Sequence, residues 1–227
     1  MFSTAISKIT ESIFPIFFEQ RLPDRFTLGV SGTGFFVSDD GLFLTANHVI
    51  TGVPPNSRLL YCGSVPHKIL NQPVEIKEVY SDKVKDIYIG QVDKSIGLPK
   101  LELSKEKVKI GQSVCLCGYP LAQIFLNPDK SINVINVRKY WQPTHVIDYY
   151  RFNEPDGRIY ESFITQHTSL NGMSGGPVFG TDGLVYGIDV ATFTRKIDHK
   201  NNPMTVHNGV AIEILYISEI LKKHNIA

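Results

Sequence analysis

Three side chains, far apart along the chain, have the types that acyl transfer needs: His48, Asp86 and Ser174. A hydroxyl attacks a carbonyl efficiently when a base takes its proton, and an imidazole serves best when a carboxylate fixes its tautomer. The order histidine, aspartate, serine is one of the known arrangements of such a triad. Ser174 lies within Asn171-Gly172-Met173-Ser174-Gly175-Gly176-Pro177. Glycines there permit positive φ and bring backbone N–H groups close to a reacting carbonyl. His48 ends the run Thr45-Ala46-Asn47-His48, and Asp86 opens the run Ile87-Tyr88-Ile89-Gly90-Gln91-Val92, with Asp82 as the alternative carboxylate. Each signal alone has a plainer reading: a tight turn, a structural histidine, a solvated strand-edge acid. Their combination, in this order, points to nucleophilic chemistry.

Such a triad needs rigid elements to hold it, and the punctuation of the chain supplies short strands. Gly34–Ser38, then Asp39-Asp40-Gly41, then Leu42–Thr45 reads as a β-hairpin with an Asp-Gly turn. Further strands are expected at Arg58–Cys62, Val74–Tyr80, Asp86–Val92, Ser113–Cys117, Ile132–Val137, Tyr160–Thr165, Gly183–Val190 and Thr205–Ile212. Ile6, Ile9 and Ile13 are spaced as on a short helix near the start, and Ile217, Ile220 and Leu221 as on a helix near the end. Many short strands and few helices argue for barrels or a sandwich. The break between two halves falls near Gly97–Lys109, and Asn127–Gly157 reads as a long aromatic loop or as strands with a surface hairpin.

Composition removes several alternatives. The 227 residues are 42% hydrophobic and 20% charged, the proportions of an ordinary globular protein. With 23 basic and 22 acidic residues the net charge is +1, so no nucleic-acid partner is expected. The apolar stretch Ile13–Phe18 is broken by Pro15 and ends at Glu19, which excludes a membrane span, and a secretory leader fits the first residues badly. Cys62, Cys115 and Cys117 do not make a disulfide framework, and the absence of a C-x-x-C pair argues against zinc. Neither metal nor cofactor is expected, and a cytoplasmic location follows from these readings.

With these motifs in order, the chain resembles a trypsin-like serine protease of the chymotrypsin fold, closest to the protease domain of the HtrA-type family. The resemblance runs from about Ser12 to Leu221. It rests on Gly32–Val37 with Gly41–Val49, Gly111–Val114 with Gly118–Leu121, Gly172–Pro177 with Gly183–Ile188, and Gly209–Ile212 followed by a helix. It implies an all-β fold of two six-stranded antiparallel barrels with a short N-terminal helix and a C-terminal helix. One protease domain over 1–227 would hold a lead-in at 1–25, a first barrel at 26–100, a second at 101–215 and a helix at 216–227. Carried over by position, His48 is the base, Asp86 its partner and Ser174 the nucleophile, with the N–H groups of Gly172 and Ser174 as the oxyanion hole. Thr168 would floor the specificity pocket, Val190, Ala191 and Thr192 would line its wall, and Asp189 could face into it. The partner implied is a polypeptide substrate, with an activating protein also possible.

Three departures stand out. Met173 replaces the polar residue usual before the nucleophile, Asn47 replaces a small one before the histidine, and the peptide-binding PDZ module common in the family is not expected after the last helix. Met173 also offers no carboxylate to a new N-terminal ammonium, so removal of a propeptide is not the expected switch. Two competing functions remain. One is a protease-fold binding module without activity. The other is an α/β-hydrolase esterase, for which Gly172–Gly176 has the right pattern but Gly175-Gly176-Pro177 makes a poor helix start.

Overall fold

The computed structural model describes residues 2–23, 26–63, 74–92, 99–126, 132–153, 157–197 and 204–226. Helix α1 (Ser3–Ile9) passes through one 3₁₀ turn at Thr10–Ser12 into strand β1 (Ile13–Arg21), so the expected helix stops short of Ile13. Then come β2 (Phe26–Phe36), β3 (Leu42–Ala46), the short helix α2 (Asn47–Thr51), β4 (Arg58–Tyr61), β5 (Val74–Glu75), β6 (Lys77–Asp82) and β7 (Ile87–Gln91).

These strands form one sheet in the order β5-β4-β1-β2-β3-β7-β6. Only Ile76 separates β5 from β6, yet β5 pairs with β4 and β6 pairs with β7. One bent run of chain therefore supplies both edges of the sheet, which curls round to meet itself. Counting that run once gives six strands, the first barrel. Its core is aromatic: Phe14 stacks on Phe36 with centroids 4.5 Å apart, and Phe43 and Tyr61 meet Phe14 edge-on. Gly90 makes room for this packing, since a Cβ there would sit 2.4 Å from the Phe43 ring. The Asp-Gly turn closes the expected hairpin, with Gly41 at φ +89°.

The second half contains β8 (Ser113–Gly118), β9 (Gln123–Leu126), β10 (Ile132–Asn136), β11 (Tyr140–Asn153), β12 (Ile159–Thr165), β13 (Pro177–Gly180), β14 (Val185–Ile197) and β15 (Met204–Glu213), then helix α3 (Ile214–Lys223). Six of them close a barrel in the order β11-β12-β15-β14-β13-β8, while β9 and β10 pair as a separate ribbon. Val114, Leu116, Phe163, Val178 and Ala211 fill part of its interior. The architecture is the chymotrypsin-like double barrel.

Asn127–Gly157 is not one long loop: β10 and β11 occupy most of it, and 127–131 and 154–156 lie outside the described residues. β11 hydrogen-bonds to both β8 and β12, and that pairing satisfies its backbone. Trp141 on it meets Phe179 edge-on at 5.9 Å. Two terminal straps complete the core. α1 buries Ala5 and Ile9 and sets Phe2 against Phe179, and α3 buries Ile214, Ile217, Ile220 and Leu221.

Candidate functional site

Pairing between β3 and β7 puts Ala46 opposite Ile87, so the chain entering α2 runs beside Asp86. The Asp86 carboxylate is fully buried. Its Oδ1 accepts the His48 backbone N–H at 2.8 Å, and its Oδ2 lies 2.7 Å from His48 Nδ1. The Asp86 carbonyl accepts the Asn47 N–H at 3.1 Å. A carboxylate only accepts, so Nδ1 carries the ring proton in this contact and Nε2 is left as the basic nitrogen. Asp86 sits at φ +55°, a left-handed conformation that aspartate tolerates better than most residues. Asp82 is occupied elsewhere: its carboxylate takes the Lys85 backbone N–H, the Lys85 ammonium and the Tyr80 hydroxyl.

The segment carrying Ser174 is fixed from below by the buried side chain of Met173, which explains an apolar residue at that position. Gly172 and Gly175 take φ +97° and +84°. The N–H groups of Met173, Gly175 and Gly176 are bonded to the carbonyls of Leu170, Asp189 and Met173 at 2.7–2.9 Å. Those of Gly172 and Ser174 donate to no protein acceptor among the described residues. A developing oxyanion would need two N–H groups of this kind, and here one belongs to the serine itself and the other to the residue two before it.

The two barrels are stitched together at this loop by Thr33, a residue that no local motif marks as functional. Its backbone N–H donates to Ser174 O at 2.9 Å, and its Oγ1 donates to Gly172 O at 2.8 Å. The same Oγ1 accepts the Tyr119 N–H at 3.1 Å, while Thr45 Oγ1 holds the Thr33 carbonyl at 2.7 Å. Gly32 completes the seam, because a Cβ there would sit 2.7 Å from Val49 and 2.8 Å from Ser174 O. Ser174 therefore packs beside the residue that follows His48. No hydrogen bond joins Ser174 Oγ to the imidazole among the described residues.

The expected pocket residues also converge. Thr168 Oγ1 lies 2.9 Å from Thr192 Oγ1, which also donates to Ser169 O at 3.1 Å. Asp189 is fully buried, and its N–H and carbonyl bond to Gly176 and Gly175 of the serine loop. Its Oδ2 accepts the Ser169 hydroxyl and its Oδ1 has no hydrogen-bond partner among the described residues. Burial pushes the carboxyl up to about 7. A bulge between Asp189 and Ala191 breaks the pairing of β14 with β15 at Val190. Val190 in turn lines a cleft of about 380 Å³ with Asn47, His48, Thr51, Lys83, Asp86 and Arg158. Arg158 is the second residue that the sequence reading missed.

A family model described as the trypsin-like peptidase domain matches residues 32–188. The chain belongs to the trypsin-like peptidase family. Among curated members it is similar to a Halomonas elongata protein named a probable periplasmic serine endoprotease, DegP-like. The two are 29% identical over 89% of this chain and 40% of that protein. A protein of the same name from Pseudomonas putida is 28% identical over 93% of this chain and 40% of its own length. The chain thus spans about two fifths of these relatives. Among solved structures, an M. tuberculosis protease in its active form superposes with a TM-score of 0.66 at 20% identity, covering 96% of this chain and 83% of that one. A Yersinia pestis serine endoprotease gives 0.65 at 18%, covering 99% and 66%. These two show the family's fold. The expectation of a cytoplasmic location is overturned, because the curated relatives are named as periplasmic. Composition and cysteine count, on which that expectation stood, do not encode an address.

Proposed function

We propose that this trypsin-like peptidase chain is a serine endopeptidase working through an acyl-enzyme. Ser174 attacks the scissile carbonyl, His48 Nε2 takes the hydroxyl proton and returns it to the leaving amine, and Asp86 holds the imidazole tautomer. The N–H groups of Gly172 and Ser174 hold the oxyanion. The observation that carries this reading is the pair of N–H groups on the serine loop left without an acceptor among the described residues, together with a histidine whose Nδ1 is bound to a buried carboxylate. The segment 1–227 acts as one protease domain, with a lead-in at 1–25, barrels over 26–100 and 101–215, and the last helix over 216–227.

Substrates are polypeptides. Val190, Ala191 and Thr192 pair with the substrate backbone, and Thr168 with Asp189 sets the primary pocket. The unpartnered Oδ1 of Asp189 supports a preference for a cationic side chain there. An activating protein is not required by this reading, and Met173, buried and apolar, supports a site ordered without a new N-terminal ammonium. The location we assign is the periplasm, as in the names of the curated relatives.

The test is hydrolysis of denatured casein by the purified chain. Ser174→Ala and His48→Ala should each abolish it, with losses on the order of 10⁴–10⁶ in kcat for a triad acting as a unit. Wild-type protein that binds casein without cutting it would instead identify a binding module.

A further inference from the structure

Asp86 has a third donor, and it comes from the other barrel. Arg158 Nη1 reaches Asp86 Oδ2 at 2.9 Å, the same oxygen that takes the His48 ring proton. Arg158 sits just before β12, in the β11–β12 connection. The next residue pins that connection to the first barrel independently, through an Ile159 N–H to Val84 O bond of 2.6 Å. The turn bearing Asp86 is therefore gripped at two points, once by backbone and once by charge.

The buried carboxylate explains why a charge belongs there. With no exposure to water, Asp86 has one backbone N–H and one imidazole N–H to compensate it within the first barrel. When His48 is neutral, those are both uncharged donors. A buried anion held only by neutral groups is costly, and its carboxylate is free to rotate away from the ring. Val190, the residue from β14 that lines the same cleft, has no hydroxyl to offer. A guanidinium is permanently charged and directional, and one arm on Oδ2 fixes the oxygen that in turn fixes the imidazole.

We infer that Arg158 is a positioning residue for the proposed peptidase reaction, holding the Asp86 carboxylate in the orientation that aims His48 at Ser174. The inference rests on the endopeptidase reading above. It makes the second barrel a contributor to the general base as well as to the nucleophile. Arg158 and Ile159 together tie the start of β12 to the turn that carries Asp86.

The experiment compares wild type, Arg158→Ala, Arg158→Gln and Arg158→Lys for the second-order rate of labelling of Ser174 by a small fluorophosphonate. The probe carries no peptide, so contacts with substrate side chains do not enter. Circular dichroism on the same samples identifies the folded variants, and Ile159 holds the connection in place when the guanidinium is removed. Arg158→Ala and Arg158→Gln should label roughly 10- to 100-fold more slowly, the scale of a small misplacement of a catalytic group. Arg158→Lys, which keeps charge without the fork, should fall between. Millimolar guanidinium chloride should raise the rate of Arg158→Ala severalfold and leave wild type unchanged, since the cleft admits the ion where the side chain was. Folded Arg158→Ala or Arg158→Gln that labels at the wild-type rate overturns the inference. So does slow labelling that neither lysine nor guanidinium improves, which would mark Arg158 as structural only. Wild type that ignores the probe would sink the peptidase reading itself, a distinguishable failure.

Discussion

Thr33 Oγ1 donates a 2.8 Å hydrogen bond to the carbonyl of Gly172, linking a strand of the first barrel to the loop that carries Ser174 in the second. The same oxygen accepts the Tyr119 N–H, so one buried hydroxyl satisfies a donor and an acceptor across the interface of the barrels. The bond fixes the peptide between Gly172 and Met173, which lies between the two peptides that carry the proposed oxyanion donors, and it therefore helps to hold both in place.

Thr33→Val keeps the shape of the side chain and removes both bonds. Each orphaned group costs about 1–3 kcal/mol, so the variant should lose roughly 2–6 kcal/mol in a urea unfolding series. Fluorophosphonate labelling should slow by about 10-fold or more at a temperature where the variant is folded. Thr33→Ser should retain most of both. Labelling at full rate by folded Thr33→Val would show that Gly172 needs no such restraint.

Gly175 is enclosed more tightly than any open turn glycine. A Cβ there would lie 2.0 Å from Thr45 Oγ1 and 2.3 Å from the Thr33 carbonyl, with φ at +84°. Gly111 has nearly the same φ, +83°, and nothing within 4 Å of its added Cβ. Gly111→Ala should therefore cost only the left-handed conformation, about 1–2 kcal/mol. Gly175→Ala should cost more than about 3 kcal/mol and lose labelling, because the loop must move off Thr33. Equal unfolding midpoints for the two variants would contradict the tight seam.

Asp189 makes stability depend on pH in the direction opposite to a salt-bridged acid. Its folded-state value is pushed up to about 7 from 3.8 by burial. Between those values the unfolded chain has released the proton that the folded protein still holds, so stability falls as pH rises through this window. The full penalty, on the order of 4 kcal/mol, applies above about pH 7. Asp189→Asn removes it. The stability gain of the variant over wild type should be about 2–3 kcal/mol larger at pH 8 than at pH 5 in paired denaturant series. A gain that does not change with pH would place the carboxylate outside this environment.

The elements that were legible in the sequence are those whose signals are local. A short run of β-branched and aromatic residues marks β7, the Asp-Gly turn marks the β2–β3 hairpin, and the spacing of Ile217, Ile220 and Leu221 marks α3. β1 was harder to read, because Ile13–Phe18 is buried throughout except for Phe18 and carries Pro15, so it has no period of two. β11 falls where the sequence leaves a loop and strands both open, because its 14 residues are polar and aromatic without clear alternation; its pairing with β8 and β12 decides for strand. Among site residues, His48, Asp86 and Ser174 were visible through their types and order. Thr33 sits between two glycines in an ordinary strand, and Arg158 is one basic residue among 23. Their significance lies in pairings across the barrel interface, over separations of 139 and 72 residues, which no local pattern encodes.

Activation of Ser174 by His48 and Asp86 is the core of the proposed function. Its most direct measurement is the intact mass of the protein after a fluorophosphonate, followed by mapping of the adduct. One adduct per chain is expected, on the peptide containing Ser174, absent from Ser174→Ala and strongly slowed in His48→Ala. No adduct on folded wild type, or one that persists in Ser174→Ala, would contradict it.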